Sequence, residues 1–417
     1  METGLLITAV FTAAFTMVAK RLSSTVVTAP MIFLGFGFAL SQTGLMPHAD
    51  AEASLHLVAE IALIVLLFLD AAQVNLDALR KRHVWPVRML VIGLPLSVAF
   101  GTLAAMAFLP GWSIFAVALL AAIMAPTDAA LGQAVISNRS VPERARRALT
   151  VESGLNDGLA LPVILLFASL AAHAAGQADT NWLLFGAKQL ILGPMVGAAA
   201  GLIGGAALMF TKKRDLTSDT FEGIGAIALA GAAYLGASEV GGNGFIAAFI
   251  AGLCFGHVVK GRCKFVYEFT ESEGQMLSWG AFLLLGMAMV PEALHALTWP
   301  MLGLILTSLF IVRPAAIWLS LLGSDASQTT RIFFGWFGPR GLATALFALL
   351  VVEQIDHRYA EPILAIAINT VWVSALLHGV SAMPGARWYA GRIARMGDCA
   401  ETQPITASAK PLMTKGD

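Results

Sequence analysis

Charge is scarce in this 417-residue chain: 12% of its residues are Asp, Glu, Lys or Arg, where a soluble domain carries ~25%. Hydrophobic residues make up 58%. So little polar surface cannot cover a water-soluble core, and a polytopic membrane protein is the class that fits. An excess of one sign is also missing, because 26 basic residues balance 26 acidic ones; no net field argues for nucleic acid, and that partner is set aside. Cysteine is nearly absent. Cys254, Cys263 and Cys399 have neither disulfide-framework nor zinc-ligand spacing, so they read as fillers and loop thiols. The start, Met1-Glu2-Thr3, lacks the basic n-region of a signal peptide, and the first apolar run reads as a retained helix.

What is there is a series of long apolar runs. Split at charged, Pro-rich or Gly-rich breaks, they give about 13 spans of the ~17 to 25 residues needed to cross hydrocarbon. They lie near 4–19, 25–45, 55–76, 86–108, 113–136, 148–172, 181–210, 221–238, 243–258, 274–290, 298–322, 330–353 and 361–382. About 21 of the 26 basic residues fall in loops on one side and only Arg358 opposite, which orients the N-terminus outside and the C-terminus in the cytoplasm. Residues 1–383 are thus one transmembrane domain. Residues 384–417 read as a short cytoplasmic tail, disordered past Asp398. The compact tail suits a bacterial inner membrane. In the seventh span Gly193, Gly197, Gly201 and Gly205 form a small-residue stripe, open to two readings: packing within the subunit or a dimer contact. Gly35-Phe36-Gly37 and Gly241-Gly242-Asn243-Gly244 lack the strand-turn-helix context of nucleotide loops, so no cofactor is expected.

Two spans carry proline at their centre. Pro126, in Ala125-Pro126-Thr127-Asp128, is expected to unwind the fifth and to leave the Ala122 carbonyl without its helical donor. Pro339, in Gly338-Pro339-Arg340-Gly341, does the same to the twelfth. An interrupted fifth member in spans 1–6 and again in spans 8–13 suggests two inverted six-helix repeats around a midplane site. In the sixth span Glu152 and Asn156, and Ser153 and Asp157, are i, i+4 pairs on one polar face. Carboxylates at such depth cost roughly 2.5 to 3.5 kcal/mol each on insertion scales and persist where a wet pathway or a partner charge meets them. Glu152 reads as one half of a helix-tying salt bridge and Asp157 as a pathway acid. Arg313 and Arg340 are the cations at that depth. Asp70 is equally a pathway-lining or an interfacial acid, whereas Glu60, Lys188, Glu239 and His257 read as helix-end snorkelling or local pairing.

Together these residues resemble the NhaP-type branch of the monovalent cation:proton antiporters, the group that includes the animal sodium/proton exchangers. The resemblance runs from about the second span to the thirteenth. It rests on Ala125 to Asp128, Glu152 to Gly158 and Trp336 to Gly341, supported by Gly244 to Gly252 and Ile311-Val312-Arg313-Pro314. It implies a 13-helix homodimer with a dimerisation domain and a moving core, working by alternating access. By position, Asp157 would carry cation and proton in turn. Ser153, the Thr127 carbonyl and Asp128 would complete the cation site, with Asp70 a further acid. Asn156 would tie the sixth helix to the broken fifth, Glu152 would pair with Arg313, and Arg340 matches the motif of the twelfth helix. In this family an Asn-Asp pair, here Asn156-Asp157, goes with electroneutral exchange. Gly132-Gln133 is more polar than the family pattern. Na+ is the expected cation, with Li+ and K+ the alternatives.

Two other classes use intramembrane acids. An intramembrane aspartyl protease would want Tyr-Asp and Gly-x-Gly-Asp contexts, which the chain lacks. A cation channel or sodium-coupled symporter could use the same broken helices, and only a counter-moving proton separates them from an antiporter.

Overall fold

The computed structural model describes residues 2–22, 25, 27–45, 48–74, 84–174, 182–260, 262–263 and 274–403. Arg80, Lys81, Arg82, Lys264 and the tail from 404 onward lie outside them. Among the described residues every regular element is helical. In chain order these are α1 (Glu2–Leu22), α2 (Ala29–Ser41), α3 (His48–Gln73), α4 (Val84–Phe108), α5 (Ile114–Ile123), α6 (Ala129–Ile136) and α7 (Glu143–Ala174). Then come α8 (Trp182–Lys213), α9 (Asp219–Glu239), α10 (Gly244–Val259), α11 (Gln275–Ala288), α12 (Val290–His295) and α13 (Trp299–Ser320). The last three are α14 (Gln328–Trp336), α15 (Leu342–Val352) and α16 (His357–Ala394). Seven are long and apolar enough to cross a bilayer and several shorter ones are as apolar. In hydrocarbon a helix satisfies its own backbone, which is why so apolar a composition favours helices.

Glycine sets how closely two groups of helices meet. A methyl on Gly197 or Gly201 of α8 would sit 2.3 Å from the carbonyl oxygen of Ala247 or Ala251 on α10. The stripe of the seventh span is therefore filled from within the subunit. The far side of α10 repeats the device, with Gly252 and Gly256 against the backbone of Phe68 and Ala72 on α3. Such contacts replace side-chain packing with backbone-to-backbone approach. The other group, α4 to α7 with α13 to α16, holds both interruptions. It carries a second apolar cluster at one end, around Trp85, Phe333, Phe334 and Tyr389.

The fifth predicted span is split, α5 stopping at Ile123 and α6 starting at Ala129, and the twelfth is split between Trp336 and Leu342. The last helix differs from expectation. It passes through Pro384 and ends at Ala394, because Ala382, Ala386, Tyr389 and Ile393 recur at helical spacing and bury one face. The segment after it is ordered through 403: Glu401 is buried, and its carboxylate accepts from the Ser327 N–H at 2.9 Å and the Thr330 hydroxyl at 2.6 Å. The tail expected to start at Pro384 and to lose order past Asp398 is, over these residues, helix and then a docked strap.

Candidate functional site

At the end of α5 the helix tightens rather than leaving a gap: Ala125 N–H donates to the Ala122 carbonyl at 3.2 Å. The expected orphan at Ala122 is thus corrected by one shorter turn. Beyond that turn Arg340 Nη1 donates to the carbonyls of Ala125 and Pro126, to Pro126 at 2.9 Å. Arg340 is 1% exposed. Its cation sits where the α5 dipole leaves partial negative charge.

Asp128 does the converse. Its Oδ1 accepts from Leu131 N–H at 3.3 Å, capping α6, and its Oδ2 accepts from Leu342 N–H at 2.8 Å, capping α15. Asp128 N–H also donates to the Pro339 carbonyl at 2.8 Å. The two interruptions are therefore bonded to each other. Gly341 is where they pass, since a methyl there would lie 1.8 Å from Asp128 Oδ2.

Behind this crossing lies the polar face of α7. Glu152 binds Arg313 through both oxygens, at 3.1 and 3.2 Å, and each residue is 3% exposed. Asn156 Nδ2 donates to Thr127 Oγ1 at 2.6 Å and to Glu152 Oε1 at 3.3 Å; Thr127 Oγ1 in turn lies 3.3 Å from Glu152 Oε2 and 3.2 Å from Ser153 Oγ. Glu152, Arg313, Asn156, Thr127 and Ser153 are brought into one buried network.

In front lies a cavity of about 350 Å³ that reaches Gln73 and Gln275, beside the ends of α3 and α11. Asp70, Asp128 and Asp157 all line it. Asp157 presents a buried Oδ1 that meets no hydrogen-bond partner among the described residues. Ser153 and Thr127 do not line the cavity; they form the layer beneath it. Arg340 lies on the far side of the break, facing a smaller space lined by Ser97 and Ser308. Of the weaker residues, Glu60 accepts the Tyr234 hydroxyl, while Lys188, Glu239 and His257 are exposed.

Sequence reasoning missed Thr150, Gln275 and Ser278 on the cavity wall, and Ser374 and His378 beside the second break. A histidine within the apolar run Leu376-Leu377-His378-Gly379-Val380 was a legible signal, being ionisable at membrane depth.

The family model described as "Sodium/hydrogen exchanger, transmembrane" matches residues 6–388. A K+/H+ antiporter NhaP of Alkalimonas amylolytica is 26% identical over 402 residues, covering 94% of this chain and 67% of its own length. A K+/H+ antiporter NhaP2 of a Shewanella species, strain ANA-3, is 28% identical over 368 residues, 86% of this chain and 62% of its own length. The chain thus spans about two thirds of these relatives. The fold is similar to that of the sodium proton antiporter MjNhaP1 of Methanocaldococcus jannaschii, with a TM-score of 0.71 at 20% identity over 91% of this chain and 99% of that one.

Proposed function

The chain belongs to the sodium/hydrogen exchanger family, and from that premise we propose that it is an integral membrane antiporter exchanging one monovalent cation for one proton at Asp157. The observation that carries this is the division of labour among the acids. Glu152 is matched by Arg313, and Asp128 is committed to two helix starts, whereas Asp157 faces the cavity with a carboxylate oxygen free to take either a proton or a cation. A single site that accepts one or the other, and crosses only when loaded, is an obligate exchanger.

Asp70 stands apart from that carrier. It belongs to α3, which is locked to α10 through Gly252 and Gly256, while Asp157 and Asp128 sit on the other group of helices. Asp70 therefore attracts cations into the cavity without travelling with them. With Asn156 unable to titrate, one proton replaces one cation and the exchange is electroneutral. Thr127 and Ser153 support the site from beneath. We place the N-terminus outside and the C-terminus in the cytoplasm of a bacterial inner membrane, from the one-sided basic loops, and take the working unit as a homodimer. No resident cofactor enters the reaction.

Among cations, Na+ remains our first choice with K+ and Li+ beside it. The test is a proteoliposome loaded with a pH-sensitive dye and challenged with each cation in turn. Proton movement answering an alkali cation, in both directions of the gradient, is expected. Cation uptake without any proton counterflow would establish a channel or symporter instead.

A further inference from the structure

One buried ionisable side chain takes no part in the exchange as proposed: His378 of α16, 2% exposed. Its Nε2 lies 2.9 Å from the Trp336 carbonyl, the last residue of α14. In the tautomer protonated at Nε2 the ring donates to that carbonyl and leaves Nδ1 to accept from a hydroxyl. Its Nδ1 lies 3.1 Å from Ser374 Oγ and 2.9 Å from the Ser374 carbonyl. Ser374 Oγ accepts the backbone N–H of Arg340 at 2.7 Å. The imidazole also stacks on the Trp336 indole, with centroids 4.9 Å apart. Residues 336 and 340, the two sides of the second break, are thus fastened to neighbouring side chains one turn apart on α16.

We infer that His378 is a positioning residue of the exchange site: through the Trp336 carbonyl and Ser374 it sets the span and direction of residues 337–341. The consequence runs along bonds already described. Arg340 holds the Ala125 and Pro126 carbonyls, Pro339 receives the Asp128 N–H, and Leu342 N–H donates to the Asp128 carboxylate. A break freed on its α16 side moves all three, and Asp128 with them. A histidine that merely filled space would need neither nitrogen. This one contacts a polar atom with each.

The inference rests on the exchange reading, and its test separates the two. His378→Gln places an amide N–H where Nε2 is; His378→Asn is one bond too short to reach the Trp336 carbonyl and fills only the Nδ1 side. Hydrogen–deuterium exchange on the full chain in detergent should be parent-like over 337–342 in H378Q and accelerated in H378N. In proteoliposomes, with the alkali cation to which the parent responds, H378N should raise the apparent KM about tenfold, the scale of one lost buried hydrogen bond, and H378Q should stay within about twofold of the parent. Ser374→Ala, which cuts the Arg340 side alone, should also accelerate deuteration at 340–342, and it carries the test if H378N does not purify. Equal behaviour of H378Q and H378N, or parent-like deuteration in S374A, overturns the assignment. A parent protein that moves no protons with any cation overturns the exchange reading instead, and the deuteration comparison still decides the role of His378.

Discussion

Asp128 and Arg340 cap each other's helices. The acid comes from the restart of one broken helix and takes the first N–H of the other, at Leu342; the cation comes from the second break and takes the carbonyls that the first leaves open. Each charge lies at the helix end whose dipole it opposes. Each break thus supplies part of what the other's open backbone needs.

Arg340→Ala should therefore act on both. It strands two buried carbonyls, each worth ~1 to 3 kcal/mol if no water replaces the donor. We expect a fall of several degrees in Tm in detergent together with lost exchange. Arg340→Lys, with one ammonium in place of a fork, should recover stability better than activity. Unchanged Tm in Arg340→Ala would mean that the carbonyls find other donors.

Asp157→Asn should abolish cation-driven proton movement and leave Tm within about 2 °C of the parent, since its buried Oδ1 meets no hydrogen-bond partner among the described residues. Dye dequenching and a thermal melt on the same preparation test this. Robust exchange by the mutant would move the carrier role elsewhere.

If the Glu152–Arg313 pair is architecture, a double-mutant cycle will show it. Arg313→Ala leaves a buried carboxylate unmatched and should cost ~3 to 5 kcal/mol. Adding Glu152→Gln should restore part of that loss. Strictly summed losses would show that the two side chains do not couple.

An electroneutral cycle should ignore voltage. With Na+ as substrate and K+ used only to clamp the potential through valinomycin, the final Na+ and proton gradients should match one to one. A charge crossing net would couple to ~2.3 kcal/mol per 100 mV. Na+ accumulation driven by the potential alone would require a second proton carrier, with Asp70 and Asp128 the candidates.

At the basic end of the bundle the strap should be acid-labile. Burial raises the Asp325 carboxyl, but hydrogen bonds from Arg144 and Trp85 outweigh it and hold the group below its ordinary range. Glu401 is likewise raised by burial yet held low by Thr330 and Ser327. A lowered folded-state value adds stability above the ordinary carboxylate range and loses it as pH falls through that range, below about pH 4.5. Tm should drop over that interval in the parent and drop less in Glu401→Gln, which should also quicken maleimide labelling of the half-buried Cys399 at neutral pH.

How much of this was legible follows from kinds of residue. Spans were read from hydropathy because lipid demands apolar runs of fixed length. Their ends were not where a helix continues as an amphipathic rod, as Ala382 to Ile393 do. Pro126 and Pro339 interrupt their helices, yet Pro162 and Pro194 sit inside α7 and α8 without doing so. Proline alone does not decide; what matters is whether a side chain such as Arg340 waits to take the freed carbonyls, and that is a tertiary fact. The polar face of α7 could be read from i, i+4 spacing, whereas the division between lining acid and buried network needed the fold. His378 was visible as a charge-capable residue in lipid, but its two partners are 42 and 4 residues away.

The glycines on either side of α3 are of unlike kind. A methyl at Gly252 would drive to 2.1 Å from the Phe68 oxygen, while one at Gly154 of α7 would rest 3.5 Å from the Asp70 oxygen, an ordinary contact. The first would act as a weld and the second as a bearing: α10 and α3 leave no room for a methyl between them, whereas α7 and α3 do. The stroke that carries Asp157 from one side of the membrane to the other would then run along that bearing, and a bulky residue at Gly154 would act as a brake on speed rather than as a flaw in the frame.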